Sequence, residues 1–230
     1  MSPSPRKRAL VLFDLDGTLV DGQHSVQATF EAIFPKFGYP APSKAAVRAI
    51  IGRSLPHAIA DLLGDAAPVE AITEAYKTHF HAMRAGEAYA EALYDDVDDV
   101  MRRLAKRDDL VLGTATGKAL RGIHWLIEQN GWHGFFATLQ AADTAESKPS
   151  PEMVHNACRD TGMDPSDVIV FGDSIFDMQM AVSAGATAIG VSYGYGDPDT
   201  LRQTGALRII DGFAEVEGII AAFMEGTLDA

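Results

Sequence analysis

The sequence predicts a doubly wound, Rossmann-like α/β fold on a parallel sheet, interrupted by a small helical insertion. Short apolar runs of strand length alternate with segments of helical periodicity through most of the chain. Between residues 21 and 93 the apolar runs stop and only helical patterns remain. Reactive side chains follow several of the apolar runs, at the edge where ligands bind in such sheets.

The elements follow in a regular order. A short apolar run ends at Phe13 and predicts a buried strand. Four helical patterns follow without a convincing strand, with Ser43 as an N-cap and Gly64 as an end signal. From Tyr94 onward strands and helices alternate again. The predicted strands cover residues 110–114, 138–141, 168–171, 187–191 and 207–210, and the helices 97–104, 123–130, 151–161, 175–184, 198–203 and 214–224.

Two acids stand at the end of the first strand. Asp14 and Asp16 alternate with Leu15, so an extended backbone turns both carboxylates to the same side. Like charges this close repel, and proteins tolerate the pair mainly where a cation lies between them. Gly17 then permits a sharp turn of the backbone. The pattern indicates a cation-dependent site at the carboxyl end of the strand.

Composition narrows the function classes. The chain has 230 residues and a formal net charge of −13, which argues against general binding to nucleic acid or to an anionic membrane. Its single cysteine, Cys158, excludes an intramolecular disulfide and suits a reducing compartment. We expect a cytoplasmic protein, monomeric or homodimeric, whose partner is a small phosphorylated metabolite, with no role for nucleic acid or membrane.

The segment 14–18, Asp-Leu-Asp-Gly-Thr, resembles the first signature of the haloacid dehalogenase superfamily of phosphohydrolases. The family's other signatures occur in the expected order. Thr116 and Gly117 resemble the second, Lys148 before Pro149 the third, and the run 172–177, Gly-Asp-Ser-Ile-Phe-Asp, the fourth. The resemblance covers residues 9 to 215 and is nearest to the capped subfamily I, phosphoglycolate-phosphatase-like members.

The resemblance implies a role for each matching residue. Asp14 is expected to attack phosphorus and form an aspartyl-phosphate, and Asp16 to act as general acid and then general base. Mg²⁺ is expected as the cofactor, held by Asp14, Asp173 and the backbone carbonyl of Asp16. Asp177 is expected to support the ion from behind its ligands or through water. Thr116, Gly117 and Lys148 are expected to bind the phosphoryl oxygens. Arg53 and Lys118 are expected to contact the substrate.

The resemblance also assigns the domains and the activity. Residues 1–20 and 94–230 are expected to form the core, and residues 21–93 a helical cap that closes over the site. The expected function is Mg²⁺-dependent hydrolysis of a small phosphorylated metabolite, with phosphoglycolate favoured. A phosphosugar mutase of the β-phosphoglucomutase type, an inorganic pyrophosphatase and a non-catalytic binding module remain as alternatives.

Overall fold

The computed structural model describes residues 8–64, 66–86 and 91–229. Within these residues a parallel sheet of six strands forms the centre of the fold, in the order β5-β4-β1-β6-β7-β8. The predicted doubly wound α/β fold is confirmed. The strands are β1 (Ala9–Phe13), β4 (Leu110–Ala115), β5 (Thr138–Gln140), β6 (Val168–Gly172), β7 (Thr187–Val191) and β8 (Arg208–Ile210).

Strand β1 lies in the middle of this sheet because it is apolar on both faces. Ala9, Val11 and Phe13 pack into one hydrophobic cluster, and the alternate residues Leu10 and Leu12 into the other. All five are fully buried. The flanking helices are α5 (Val97–Leu104), α6 (Leu120–Asn130), α7 (Glu152–Thr161), α8 (Ile175–Ala184), α9 (Pro198–Gln203) and α10 (Val216–Glu225).

The helical insertion has a hydrophobic cluster of its own, centred on Phe30, Phe34, Ile59 and Tyr76. Its helices are α1 (Gln23–Ile33), α2 (Lys44–Ile50), α3 (Leu55–Leu63) and α4 (Val69–Arg84). Ser43 caps α2 as predicted, because its hydroxyl accepts a hydrogen bond from the Ala46 amide at 3.2 Å. The division into a core (1–20 and 94–230) and a cap (21–93) stays a prediction.

One detail of the insertion was predicted wrongly. Its two ends are not purely helical, since β2 (Val20–Asp21) pairs antiparallel with β3 (Ala92–Leu93). Strands of two residues have no periodicity that a sequence pattern can reveal. This short ribbon holds the entry and the exit of the insertion side by side.

Within the described ranges, no helix has the combination of length and apolarity needed to span a membrane.

We predict that Phe213→Ala lowers the free energy of unfolding by about 3–5 kcal/mol. Phe213 is 1% exposed and its ring lies 5.8 Å from that of Phe13, so truncation leaves a cavity beside the central strand. Urea unfolding measures the change. Val182→Ala is the matched control, because Val182 is 51% exposed and its truncation leaves no cavity. Equal destabilisation by both variants would contradict this account of the core.

Candidate active site

Three neighbouring strands deliver polar side chains to one edge of the sheet. Asp14 directly follows β1, Thr116 follows β4, and Asp173 follows β6. The register pairs Phe13 with Thr114 on one side and with Phe171 on the other, so the three strands end at the same level. Sequence reasoning predicted this convergence, because parallel strands present their carboxyl ends together.

Lys148 lies at the centre of this edge with no exposed side-chain surface. Its ammonium is 3.1 Å from Asp14 Oδ1 and 2.5 Å from Asp177 Oδ1. Burial alone would lower the pKa of Lys148, but the two carboxylates raise it. The side chain is therefore a permanent positive charge inside the protein.

Asp177 is held in place by the start of helix α8. Its Oδ2 accepts hydrogen bonds from the Ser174 amide at 3.1 Å and from the Ser174 hydroxyl at 2.6 Å. Ser174 Oγ in turn accepts from the Asp177 amide, which completes a capping box. One carboxylate thus caps the start of the helix and contacts the buried lysine.

The carboxylates of Asp14, Asp173 and Asp177 form a cluster that fits a divalent cation. Their oxygens lie within 4.8 Å of one another, and all three residues are buried. Within the described part of the chain, Asp14 Oδ2 and Asp173 Oδ1 have no hydrogen-bond partner. Burying a carboxylate oxygen without a partner lowers the stability of the protein, and an ion that prefers oxygen ligands, such as Mg²⁺, provides that partner.

The pKa values of the cluster reflect this excess of negative charge. Burial raises the pKa of Asp14 to about 7, although Lys148 acts in the opposite direction. Burial also raises the pKa of Asp173 well above its ordinary value, and the charges of Asp14 and Asp177 add to the effect. One ammonium does not balance three buried carboxylates, so a bound cation would favour their ionised forms.

Glycines allow the backbone to approach Asp173 closely. Gly17 has a φ of +87°, and a Cβ at this position would overlap the Asp173 carboxylate. On the other side, the amide of Tyr195 donates a hydrogen bond to Asp173 Oδ2 at 2.7 Å. The loop around Tyr195 therefore contacts the acidic cluster directly.

Asp16 faces a different lysine from Asp14. Lys118 Nζ lies 3.1 Å from Asp16 Oδ2 and 3.1 Å from Glu91 Oε1. Burial raises the pKa of Asp16, Lys118 lowers it, and Glu91 raises it. The sequence analysis missed Glu91, since an isolated acid in an irregular segment carries no motif. The two acids of the first signature each contact their own lysine instead of sharing one protein cation.

The loop of residues 52–54 lies against the sheet edge. The Ser54 amide donates a hydrogen bond to Ser147 Oγ at 2.9 Å. A Cβ on Gly117 would lie 2.5 Å from the Arg53 carbonyl oxygen, and one on Gly52 would lie 2.9 Å from Ser174 Oγ. This loop of the insertion thus contacts the segments of the second, third and fourth signatures.

A cavity of about 410 Å³ opens between the insertion and the sheet edge. Five residues predicted from the sequence line it: Asp14, Asp16, Thr116, Gly117 and Lys118. Arg53 also lines the cavity, but its guanidinium lies 3.0 Å from Asp61 and over the ring of Phe176. The structure therefore brings Asp14, Asp16, Asp173, Asp177, Thr116, Gly117, Lys118 and Lys148 into one region, and directs the charge of Arg53 to another acid.

An α/β sheet with buried acids at its strand ends is an arrangement found in enzymes, and comparison with known proteins identifies the family. Residues 11–191 match the family model described as haloacid dehalogenase-like hydrolase. The match covers most of the chain, which belongs to the haloacid dehalogenase-like hydrolase family.

Individual relatives agree with this assignment. The probable phosphatase IndB of Dickeya dadantii is 32% identical over 221 residues, which cover 95% of this chain and 96% of the relative. A phosphoglycolate phosphatase of Psychrobacter arcticus is 26% identical over 226 residues, covering 94% and 97%. A putative haloacid dehalogenase-like hydrolase from Bacteroides fragilis has the same fold, with a TM-score of 0.82, 23% identity and coverage of 91% and 100%.

We predict that Mg²⁺ stabilises the protein more at about pH 8 than at about pH 5.5. The raised pKa of Asp14, about 7, means that the folded state holds a proton which the unfolded state has lost. Without metal, this group's contribution to stability is lost as the pH rises from about 4 to about 7. Above that range the cluster is anionic and binds the cation better.

Thermal unfolding with Mg²⁺ and with EDTA at both pH values measures the effect. The difference between the two melting temperatures isolates the metal from other titrating groups. Asp173→Asn is expected to remove most of the Mg²⁺-dependent shift, while Asp108→Asn, on an exposed turn, retains it. A larger shift at the lower pH would contradict the assignment of the cluster.

Proposed function

We propose that this protein is a Mg²⁺-dependent phosphatase that hydrolyses a small phosphorylated metabolite through an aspartyl-phosphate on Asp14. The observation that carries the proposal is the arrangement around Asp14. Asp14 directly follows the central strand and lines the cavity, and its carboxylate lies 3.1 Å from the fully buried ammonium of Lys148. Relatives that align along nearly the whole chain are named phosphatases.

Asp14 is oriented for in-line attack on phosphorus. The Leu15 amide donates a hydrogen bond to Asp14 Oδ1 at 2.7 Å, and Lys148 contacts the same oxygen. Both contacts restrain the rotation of the carboxylate, and Oδ2 keeps no partner among the described residues. In-line transfer depends mainly on such positioning and on charge neutralisation.

Lys148, Thr116 and the cation would bind the oxygens of the phosphoryl group and stabilise their negative charge. Lys148 and the hydroxyl of Thr116 would bind equatorial oxygens, where negative charge accumulates in the transition state. Asp14, Asp173 and the backbone carbonyl of Asp16 would hold Mg²⁺, with Asp177 behind them. When bound, the ion supplies positive charge to the phosphoryl oxygens.

Asp16 is suited to proton transfer to the leaving group. Burial and Glu91 raise its pKa, so the protonated form persists to a higher pH than for an ordinary aspartate. As the acid, Asp16 would protonate the leaving oxygen, and as the base it would deprotonate the water that hydrolyses the intermediate. A binding module has no need for this second acid.

The two alternative functions use the same catalytic groups. A mutase differs in the acceptor of the phosphoryl group, and a pyrophosphatase differs in the leaving group. Phosphate release is measured with Mg²⁺ and with EDTA on phosphoglycolate, hexose phosphates, nucleotides and pyrophosphate. Release from monoesters supports the phosphatase. Sugar phosphate isomerisation without net phosphate release would replace it with the mutase. The expected cytoplasmic location and the monomeric or dimeric state remain part of the proposal.

We predict that Asp14→Asn reduces phosphate release to a trace, because the amide keeps the shape of the side chain but loses the attacking charge. Circular dichroism and thermal unfolding check that the fold is retained. Asp108→Asn, which makes the same chemical change on an exposed turn, is expected to keep full activity. Substantial turnover by the Asp14 variant would exclude the aspartyl-phosphate mechanism.

Glu91→Gln is expected to move the alkaline limb of the kcat/KM profile to lower pH. The negative charge of Glu91 raises the pKa of Asp16, so its removal lowers that pKa and leaves Lys118 to Asp16 alone. Activity that requires protonated Asp16 then declines at a lower pH. A pH profile with the limb unmoved or shifted upward would exclude Glu91 as the neighbour that controls Asp16.

A further inference from the structure

The cavity is large for a substrate as small as phosphoglycolate. Its volume of about 410 Å³ corresponds to roughly 14 water molecules at about 30 Å³ each. The glycolate portion has only a handful of heavy atoms, and the phosphoryl group lies at Asp14. Most of the space between the insertion and the sheet edge would hold water with such a substrate, which favours a bulkier leaving group.

One side of the cavity is an apolar wall, composed of Val26, Phe30, Ile50, Leu55, Tyr76 and Phe80. Phe30, Ile50 and Tyr76 are buried behind it, and Val26, Leu55 and Phe80 are the partly exposed members. Its aromatic rings pack against one another, with centroids 4.8 Å apart for Phe30–Tyr76 and 5.8 Å apart for Tyr76–Phe80. An apolar surface gains free energy only when an apolar group covers it. The wall therefore matches an apolar body in the leaving group, which glycolate lacks.

Beside this wall is a cationic group formed by Arg84 and Arg121, and His81 lines the cavity next to Arg121. His81 and Arg84 lie on the same face of α4, and Arg121 belongs to the first turn of α6. The Nη1 of Arg121 is 3.5 Å from the Nδ1 of His81. Burial and the neighbouring Arg121, Arg84 and Lys77 lower the pKa of His81, so its ring stays uncharged to a lower pH than an ordinary histidine, and the positive charge here belongs to the arginines.

Arg84 is stacked over the ring of Trp125, 4.0 Å from its centroid, and other charged residues on the cavity also have partners. Lys77 pairs with Glu74 at 2.8 Å, Arg53 with Asp61, and Asp143 accepts from the Leu120 amide. Arg84 lies near enough to Asp16 to lower its pKa, and His81 is about 4.5 Å further along α4. Arg121 is exposed on the cavity lining and offers its positive charge to the far end of a bound leaving group.

We propose that the substrate is a phosphate monoester of an alcohol with an apolar, ring-sized body and a distal carboxylate or phosphate. This inference rests on the proposed phosphatase activity and specifies the substrate class of the same site. The apolar body packs on Val26, Leu55 and Phe80, and the distal anion contacts Arg121. It departs from the expectation of phosphoglycolate drawn from the sequence.

Four synthetic esters test the two features separately. Ethyl phosphate and phosphoglycolate have small leaving groups, without and with a carboxylate, while benzyl phosphate and carboxybenzyl phosphate add an aromatic ring. All four release an alkoxide, so their chemistry is comparable. We expect kcat/KM to rise about tenfold from ethyl to benzyl phosphate. We expect a further rise of about fivefold from benzyl to carboxybenzyl phosphate.

Two variants assign these gains to their residues. Arg121→Gln is expected to lower the ratio of carboxybenzyl to benzyl turnover about fivefold, and Phe80→Ala the ratio of benzyl to ethyl turnover about tenfold. Ratios within one variant cancel a general loss of activity or of folded protein. Arg208→Gln, on the exposed start of β8, is the matched control and leaves both ratios unchanged.

The outcomes separate this inference from the proposed function. If all four esters release phosphate and phosphoglycolate is the best of them, the inference is wrong and the phosphatase function stands. If the wild-type ratios are as expected but Arg121→Gln and Phe80→Ala leave them unchanged, the wall and the cationic group do not select the substrate, and the inference is again wrong. If the folded protein with Mg²⁺ releases phosphate from no ester, both proposals fail.

Discussion

A single buried ammonium is the constraint on which the site depends. Lys148 has no exposed side-chain surface and contacts Asp14 and Asp177, while Asp173 lies within the same acidic cluster. Removing one partner from a buried ion pair leaves an uncompensated charge and is strongly destabilising. The helix cap at Ser174 and the tight backbone at Gly17 and Tyr195 hold the acids around this charge. Because carboxylates outnumber ammonium groups in this cluster, a bound cation would balance the remaining negative charge.

Most of the fold could be predicted because its signals are local. Apolar runs of four to six residues, N-caps such as Ser43 and left-handed glycines such as Gly131 and Gly185 mark the elements without reference to the rest of the chain. The ribbon of β2 and β3 escaped prediction, since its pairing depends on residues about 70 positions apart and not on a pattern. The first helix of the insertion ends at Ile33 and is followed by a 3₁₀ turn over Phe34–Phe37. Pro35 explains this end, because proline lacks the amide hydrogen that an α-helix needs.

The site shows the same division between local and remote information. Asp14, Thr116, Lys148 and Asp173 follow strands or precede a helix in recognisable motifs, and the structure brings them together. Glu91 has no motif, and its contact with Lys118 arises only when the exit of the insertion returns to the sheet. The partner of Arg53 was equally hidden, because Asp61 lies on the next helix and sequence order gives no sign of their contact. The position of a residue in a motif indicates its role at the site, but it does not indicate which distant side chain will contact that residue.

The central position of β1 also bears on how the chain acquires its structure. This strand is synthesised before both of its neighbours, since β4 and β6 lie about 100 and about 160 residues further along. Contacts of such long range form slowly, whereas the helices of the insertion can form from nearby residues as soon as they emerge. Five consecutive apolar residues therefore lack any strand partner until β4 has been made, and lack the second partner until β6 follows. During translation this protein therefore exposes an apolar strand that is prone to aggregation, until the last of its neighbours in the sheet has been made.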